Sequence, residues 1–201
     1  MPSEYRADLE ALLRREALPR DKHGHQPRLY ALTRLIGQSL AYDDDVVFAA
    51  AYLHDLGVFI GHRPEDPQAL ARWNHVVYTC EQAPRLLDEI GFPTEKIPGV
   101  LEAIRSHQPA DDPHTLEAII LRDADLLEQL GAIGILRAVA KVGRDTRYAT
   151  YSSVMAFLER NLQELPAKIR LDSTRELAAP RLRVLADFLE AVRVESQEHL
   201  D

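Results

Sequence analysis

Cysteine is nearly absent: the 201 residues contain one, Cys80. A single thiol excludes an internal disulfide, a CxxC redox pair and a cysteine-rich zinc site. A chain of this length buries roughly 70% of its unfolded surface and needs no such staple. Positive charge is also scarce. The 24 Lys and Arg stand against 32 Asp and Glu, a formal net charge of −8. Sequence-independent affinity for nucleic acid comes from clustered cationic side chains, so a nucleic-acid polymer is not an expected partner. Long apolar runs are missing too. The most apolar stretch, residues 46–60, is interrupted by His54 and Asp55 and falls short of the roughly 20 residues a bilayer span needs. The N-terminal residues are amphipathic and charged, without the apolar core of a targeting segment. The expectation is a cytoplasmic protein in a reducing compartment, with no membrane partner.

What is present is helical periodicity almost throughout. Residues 3–17 place Leu9, Leu12 and Leu13 on one side. Residues 27–40 carry Leu29, Leu32, Leu35, Ile36 and Leu40 as an apolar stripe. Residues 45–56 are apolar on all sides and predict a buried central helix, with Asp43–Asp45 as cap candidates and Gly57 as its stop. Further helices are expected over 68–80, from a start or kink near 79–83 at Pro84, from Pro93 and Pro98 to about His107, and over 115–130 with Gly131 as stop. Three more follow over 132–142, from a cap at Ser152 or Ser153 to Leu165, and from a cap at Asp172–Ser173 onward with a bend at Pro180. No β-alternation, internal repeat or low-complexity tract is evident. The reading is all-α, a single-domain bundle of about nine or ten helices over 1–201, with its core at about 20–135 and C-terminal helices at 150–199 packed on it.

The chemistry-bearing residues are histidines and aspartates. His54-Asp55 breaks into an apolar helix, Ala-Ala-Ala-Tyr-Leu-His-Asp-Leu-Gly, just before the glycine. A carboxylate there is costly to bury unless it is paired or bound to metal. Neighbouring helix residues lie about 100° apart, so both side chains can reach one point off the helix end. The bland alternative is a buried ion pair, or an imidazole on the helix dipole. His25 opens a helix in His25-Gln-Pro-Arg28, His75 and His107 lie near helix ends, and Asp125 sits mid-helix among leucines. Such nitrogen and oxygen donors without thiolate suit Mn, Fe, Mg, Zn, Ni or Co.

In this order the residues His25, His54-Asp55 and Asp125 resemble the H…HD…D signature of the HD-domain superfamily of metal-dependent phosphohydrolases. The run before the pair is similar to the family's "AALLHD", and Ala124-Asp125-Leu-Leu127 to its "AD-x-L" frame. The likeness extends to a subgroup of small bacterial HD proteins through His75, Leu86-Leu87, Gly91-Phe-Pro93, Ile97, Val100, Ala103-Ile104, His107 and Asp123–Ile135, and covers about residues 20–190. One departure is Leu126-Leu127-Glu128, where the subgroup has Arg-Leu-Asp after "DAD". The resemblance implies an HD-type helical bundle and metal ligands at His25, His54, Asp55 and Asp125. Asp123 lies about 200° from Asp125 on a helix, so only one of them can face a given cation. By the "AD" frame Asp125 is taken as ligand and Asp123 as a supporting contact.

His75 and His107 match positions that hold a second metal in two-metal members, with Asp55 bridging. The alternative places them beside one metal as substrate or supporting groups. The resemblance thus implies one or two divalent first-row cations per chain and a phosphomonoesterase or phosphodiesterase acting on a small phosphorylated molecule, a nucleotide foremost. Asp55 and Arg28 are the candidate catalytic residues, Arg28 standing one turn from His25. Arg63, Lys141, Arg144 and Arg147 are weaker phosphate candidates, His62 could line the pocket mouth, and His23, His114 and His199 are read as surface. Two other functions share the signature: a regulatory or ligand-binding module stapled by metal, and a diiron HD oxygenase. A homodimer is compatible with all of these.

Overall fold

The computed structural model describes residues 4–143, 148–197 and 199–201. Among them are ten α-helices and four short 3-10 turns, with no strand beyond one isolated bridge between Ile60 and Arg63. The all-α reading holds. No described helix is long and apolar enough to cross a membrane. The chain divides into two compact units, residues 1–122 and 123–201.

The first unit holds α1 (Glu4–Glu16), α2 (His25–Ile36), α3 (Asp44–Leu53), α4 (Pro67–Ala71), α5 (His75–Glu89), α6 (Ile97–Arg105) and the opening turns of α7 (Leu116–Glu128). Every residue of α3 from Val46 to Leu53 is buried, as its all-round apolar sequence predicts. It packs against α1, α2 and α6. Asp43 caps it, its carboxylate accepting from the N–H groups of Asp45 and Val46. Arg6 of α1 donates to Asp44 and Asp45, and Lys96, just before α6, donates to Asp43 and Asp45. The entry to α3 is therefore pinned to its neighbours, and so is the direction in which its far end projects His54.

Several boundaries differ from expectation. The second helix begins at His25, two residues early, and ends at Ile36; Leu35 is exposed. α3 stops at Leu53 rather than Leu56, with His54 as C-cap, and Gly57 lies in a 3-10 turn (Leu56–Val58). The helix expected over 68–80 is two helices, because Asn74 caps a new one: its side chain accepts from Val76 and Val77 N–H. Pro84 neither starts nor ends a helix but sits inside α5.

The second unit holds the rest of α7, α8 (Gly131–Val139), α9 (Tyr151–Glu164) and α10 (Asp172–Ser196). α8, α9 and α10 contact one another. α7 ends at Glu128, short of the expected Leu130, and Gly131 opens α8 rather than stopping α7, with φ +68, a conformation that L-residues rarely adopt. Thr150, not Ser152 or Ser153, caps α9; Ser153 completes a reciprocal capping box. α10 begins at Asp172 with Leu171, not Asp172 or Ser173, in the N-cap position, and the buried carboxylate of Asp123 accepts from the N–H groups of Arg170 and Leu171 just before it. Pro180 lies inside α10. Arg144 and Arg147 lie outside the described residues.

Candidate metal centre

Five side chains of the first unit converge where helix ends meet. His54 closes α3 and Asp55 follows it; His25 opens α2 and His75 opens α5; His107 comes two residues after α6 ends. Helix termini suit this work because they release the backbone from its ladder and aim side chains along the axis.

Two of the histidines are built alike. His54 Nδ1 lies 3.0 Å from the carbonyl of Ala51, and His107 Nδ1 lies 2.7 Å from that of Ile104. Both carbonyls sit three residues back, in the last turn of a helix, where they lack a full intrahelical partner. A carbonyl can only accept, so each Nδ1 carries the proton and donates. In the neutral ring each Nε2 then presents a lone pair, and both rings are buried. A backbone acceptor behind an imidazole is how metal-binding histidines are commonly oriented.

The lone pairs point at other donors. His25 Nε2 is 3.2 Å from His54 Nε2. The Asp55 carboxylate spans two groups: Oδ2 lies 3.6 Å from His54 Nε2 and 3.9 Å from His25 Nε2, whereas Oδ1 lies 3.7 Å from His75 Nε2. The His107 ring is centred 5.0 Å from that of His54 and 5.9 Å from that of His75. Ligand atoms of His54, Asp55 and His107 all lie within 4.8 Å of one another. Ligands about 2.1 Å from one cation stand roughly 3–3.5 Å apart, so the shorter spacings match a shared ion, and the donor types suit it.

Burial by itself would raise the Asp55 carboxyl. Positive charge on the surrounding histidine rings, His54 first and then His25, His75 and His107, outweighs that and holds it well below the usual carboxylate range. Asp55 is therefore the anion at the centre of the cluster.

The remaining candidates are placed as follows. Arg28 is half-buried on α2, and its guanidinium folds back beside Gly24, at the residue preceding His25. His62 bonds Tyr78 Oη (2.9 Å) and Glu16 (3.2 Å). Asp125 lies in the second unit, half-buried, and accepts from Gln129 Nε2 (3.3 Å). Asp123 is committed to backbone N–H groups at Arg170 and Leu171.

Sequence reasoning missed the supports. Arg122 is buried and donates to the carbonyls of Gln108 and Pro109, bracing the loop that leaves His107. Thr79 and Trp73 bond the turn that follows the His54-Asp55 pair. These contacts join segments 13 to 25 residues apart, and no local pattern announces them.

Known proteins are similar to this chain over most of its length. The chain is 27% identical over 194 residues to YpgQ of Bacillus subtilis (strain 168), an uncharacterized protein, covering 92% of this chain and 89% of that one. A crystal structure of Bacillus subtilis YpgQ in complex with ADP superposes with a TM-score of 0.70 at 24% identity, over 95% of this chain and 94% of that one. A predicted HD superfamily hydrolase from an uncultured Thermotogales bacterium superposes with a TM-score of 0.64 at 23% identity, over 94% and 91%. The HD domain family matches residues 23–130, more than half of the sequence and inclusive of every residue of the cluster. The protein thus has an HD-type helical fold with a candidate metal-binding His/Asp cluster, and the chain belongs to the HD domain family.

Proposed function

We propose that the protein is a metal-dependent phosphohydrolase acting on a small phosphorylated molecule, with a nucleotide as the leading substrate class. The observation that carries this reading is the divided Asp55 carboxylate, one oxygen toward His25 and His54 and the other toward His75. A carboxylate so placed suits two adjacent cation positions, the first held by His25, His54 and Asp55, the second by Asp55, His75 and His107. The sequence motif adds Asp125 to the first. The ADP bound in YpgQ supports a nucleotide as the class of ligand.

Bound divalent cations supply Lewis acidity there, acidifying a water and offsetting charge on phosphoryl oxygens. The protein's own groups do the positioning. His54 and His107 hold Nδ1 against the carbonyls of Ala51 and Ile104, which orients each ring so that Nε2 faces the cluster. Asp55 stays ionised and supplies the negative charge that offsets a dication. Arg28, one turn from His25, is the proposed contact for a substrate phosphate, where a planar guanidinium can bind two oxygens. Phosphate esters hydrolyse extremely slowly without such help.

The test is a hydrolysis screen. Metal-depleted protein is supplied with Mn, Co, Ni, Mg or Zn and offered nitrophenyl phosphates and nucleotides. The reading expects metal-restored release of phosphate or pyrophosphate, abolished in the His54→Ala/Asp55→Ala double variant. Tight nucleotide binding with no turnover under any metal overturns it in favour of a binding module. Oxygen uptake by the ferrous protein overturns it in favour of an oxygenase.

A further inference from the structure

The turn that carries the His54-Asp55 pair is clasped by side chains that offer nothing to the cluster itself. Thr79, fully buried on α5 one turn beyond His75, takes the N–H of Gly57 on its hydroxyl oxygen at 3.2 Å. The same hydroxyl donates to the carbonyl of His54 at 3.5 Å. One side chain thus ties both ends of the turn to α5. Trp73, two residues before His75, donates its indole N–H to the carbonyl of Gly57 at 2.7 Å.

Between these bonds the backbones are in direct contact. A Cβ at Gly57 would lie 2.8 Å from the carbonyl oxygen of His75, 2.9 Å from its Cα and 3.0 Å from its Cβ. Two of these contacts are with backbone, which cannot rotate away. Glycine stands here for close approach, not for an unusual φ. The consequence is specific. His54 and Asp55 are chain neighbours, so their mutual geometry is local. Asp55 and His75 are 20 residues apart, and the 3.7 Å between Oδ1 and Nε2 is set by how closely α5 sits on the turn.

We infer that Thr79 and Gly57 are positioning residues that hold His75 against Asp55 and decide whether the cation position on the His75 side can fill. This rests on the two-position reading above. Loosening the clasp moves His75 away from Asp55, while His54 keeps its own anchors, its N–H on Ala50 and its Nδ1 on Ala51.

The experiment is calorimetric titration of metal-depleted protein with Mn(II), with electron paramagnetic resonance to detect spin-coupled pairs. Wild type takes two cations and shows coupling; His75→Ala takes one. Thr79→Val and Gly57→Ala bind the first cation within about twofold of wild type, bind the second at least tenfold more weakly, and lose coupling. Thr79→Ser, which keeps the hydroxyl, returns the second affinity to within threefold. Should Thr79→Val not fold, Trp73→Phe removes one clasp bond and carries the same expectation in smaller degree. Two cations in wild type with both affinities unchanged in these variants, or with both weakened alike, overturn the inference and leave the two-position reading intact. A single cation in wild type overturns the two-position reading and the inference with it.

Discussion

The Nε2 atoms of His25 and His54 face each other across 3.2 Å, with His54 Nδ1 already committed to the carbonyl of Ala51. Without a cation this contact holds only if one of the two Nε2 atoms carries a proton. With a cation, both lone pairs are used at once. Metal binding should therefore add to folding stability. At a free Mn(II) concentration 100-fold above Kd the gain is about 2.7 kcal/mol. Scanning calorimetry with Mn(II) and with a chelator should show the difference in wild type and lose it in His25→Ala and His54→Ala. An unchanged midpoint in wild type would remove these residues from the ligand set.

Asp123 and Asp125 should separate cleanly. Asp123 is buried and accepts from the N–H groups of Arg170 and Leu171. Asp123→Ala leaves those donors unpaired and should cost about 1–3 kcal/mol of stability. Its metal content should stay as in wild type. Asp125→Ala should instead lower metal affinity with little loss of stability. Denaturant unfolding and metal analysis of the two variants check this, and the reverse pattern would reassign the ligand.

The start of α3 gives the protein an acid-sensitive contact. Burial raises the Asp45 carboxyl, but hydrogen bonds from Arg6 and Lys96 outweigh it and set it well below its ordinary 3.8. A carboxyl lowered on folding contributes stability above its unfolded value, and that contribution is lost as pH falls through the folded value. Asp45→Asn should cost about 1–2 kcal/mol at pH 7, a figure held down by partial exposure. The difference from wild type should shrink steadily below about pH 4. Urea unfolding of both proteins from pH 7 to pH 2 measures it.

Tyr30 predicts the opposite limb. Burial first, then the hydrogen bond to Asp44, pushes its hydroxyl up to about 12. A group raised on folding contributes below its unfolded value, near 10, and that contribution is lost as pH rises through the folded value. Wild type should therefore lose stability between about pH 10 and 12, and Tyr30→Phe should lose less over that range. Ultraviolet titration of phenolate absorbance should show one late component in wild type that Tyr30→Phe lacks.

How much was legible follows from range. The buried α3 and the cap at Asp43 are local consequences of sequence, and the structure agrees. The break at Asn74 was missed because apolar periodicity masked a cap whose bonds reach only two and three residues ahead. The stop at Gly57 was misread because a glycine needed for close approach carries the same letter as one needed for a turn. Pro84 does not start a helix as one of its two readings had it, since a helix held by packing tolerates one lost hydrogen bond.

By itself the sequence determined an all-helical chain and the residue types for an oxygen- and nitrogen-ligated cation, since helix periodicity and donor chemistry are properties of short segments. Tertiary structure alone decided that His25, His54, His75 and His107 gather around Asp55, which imidazole faces which carboxylate oxygen, and which backbone carbonyls set the tautomers. Those are relations between helix ends up to 82 positions apart, and no interaction between near neighbours along the chain encodes them.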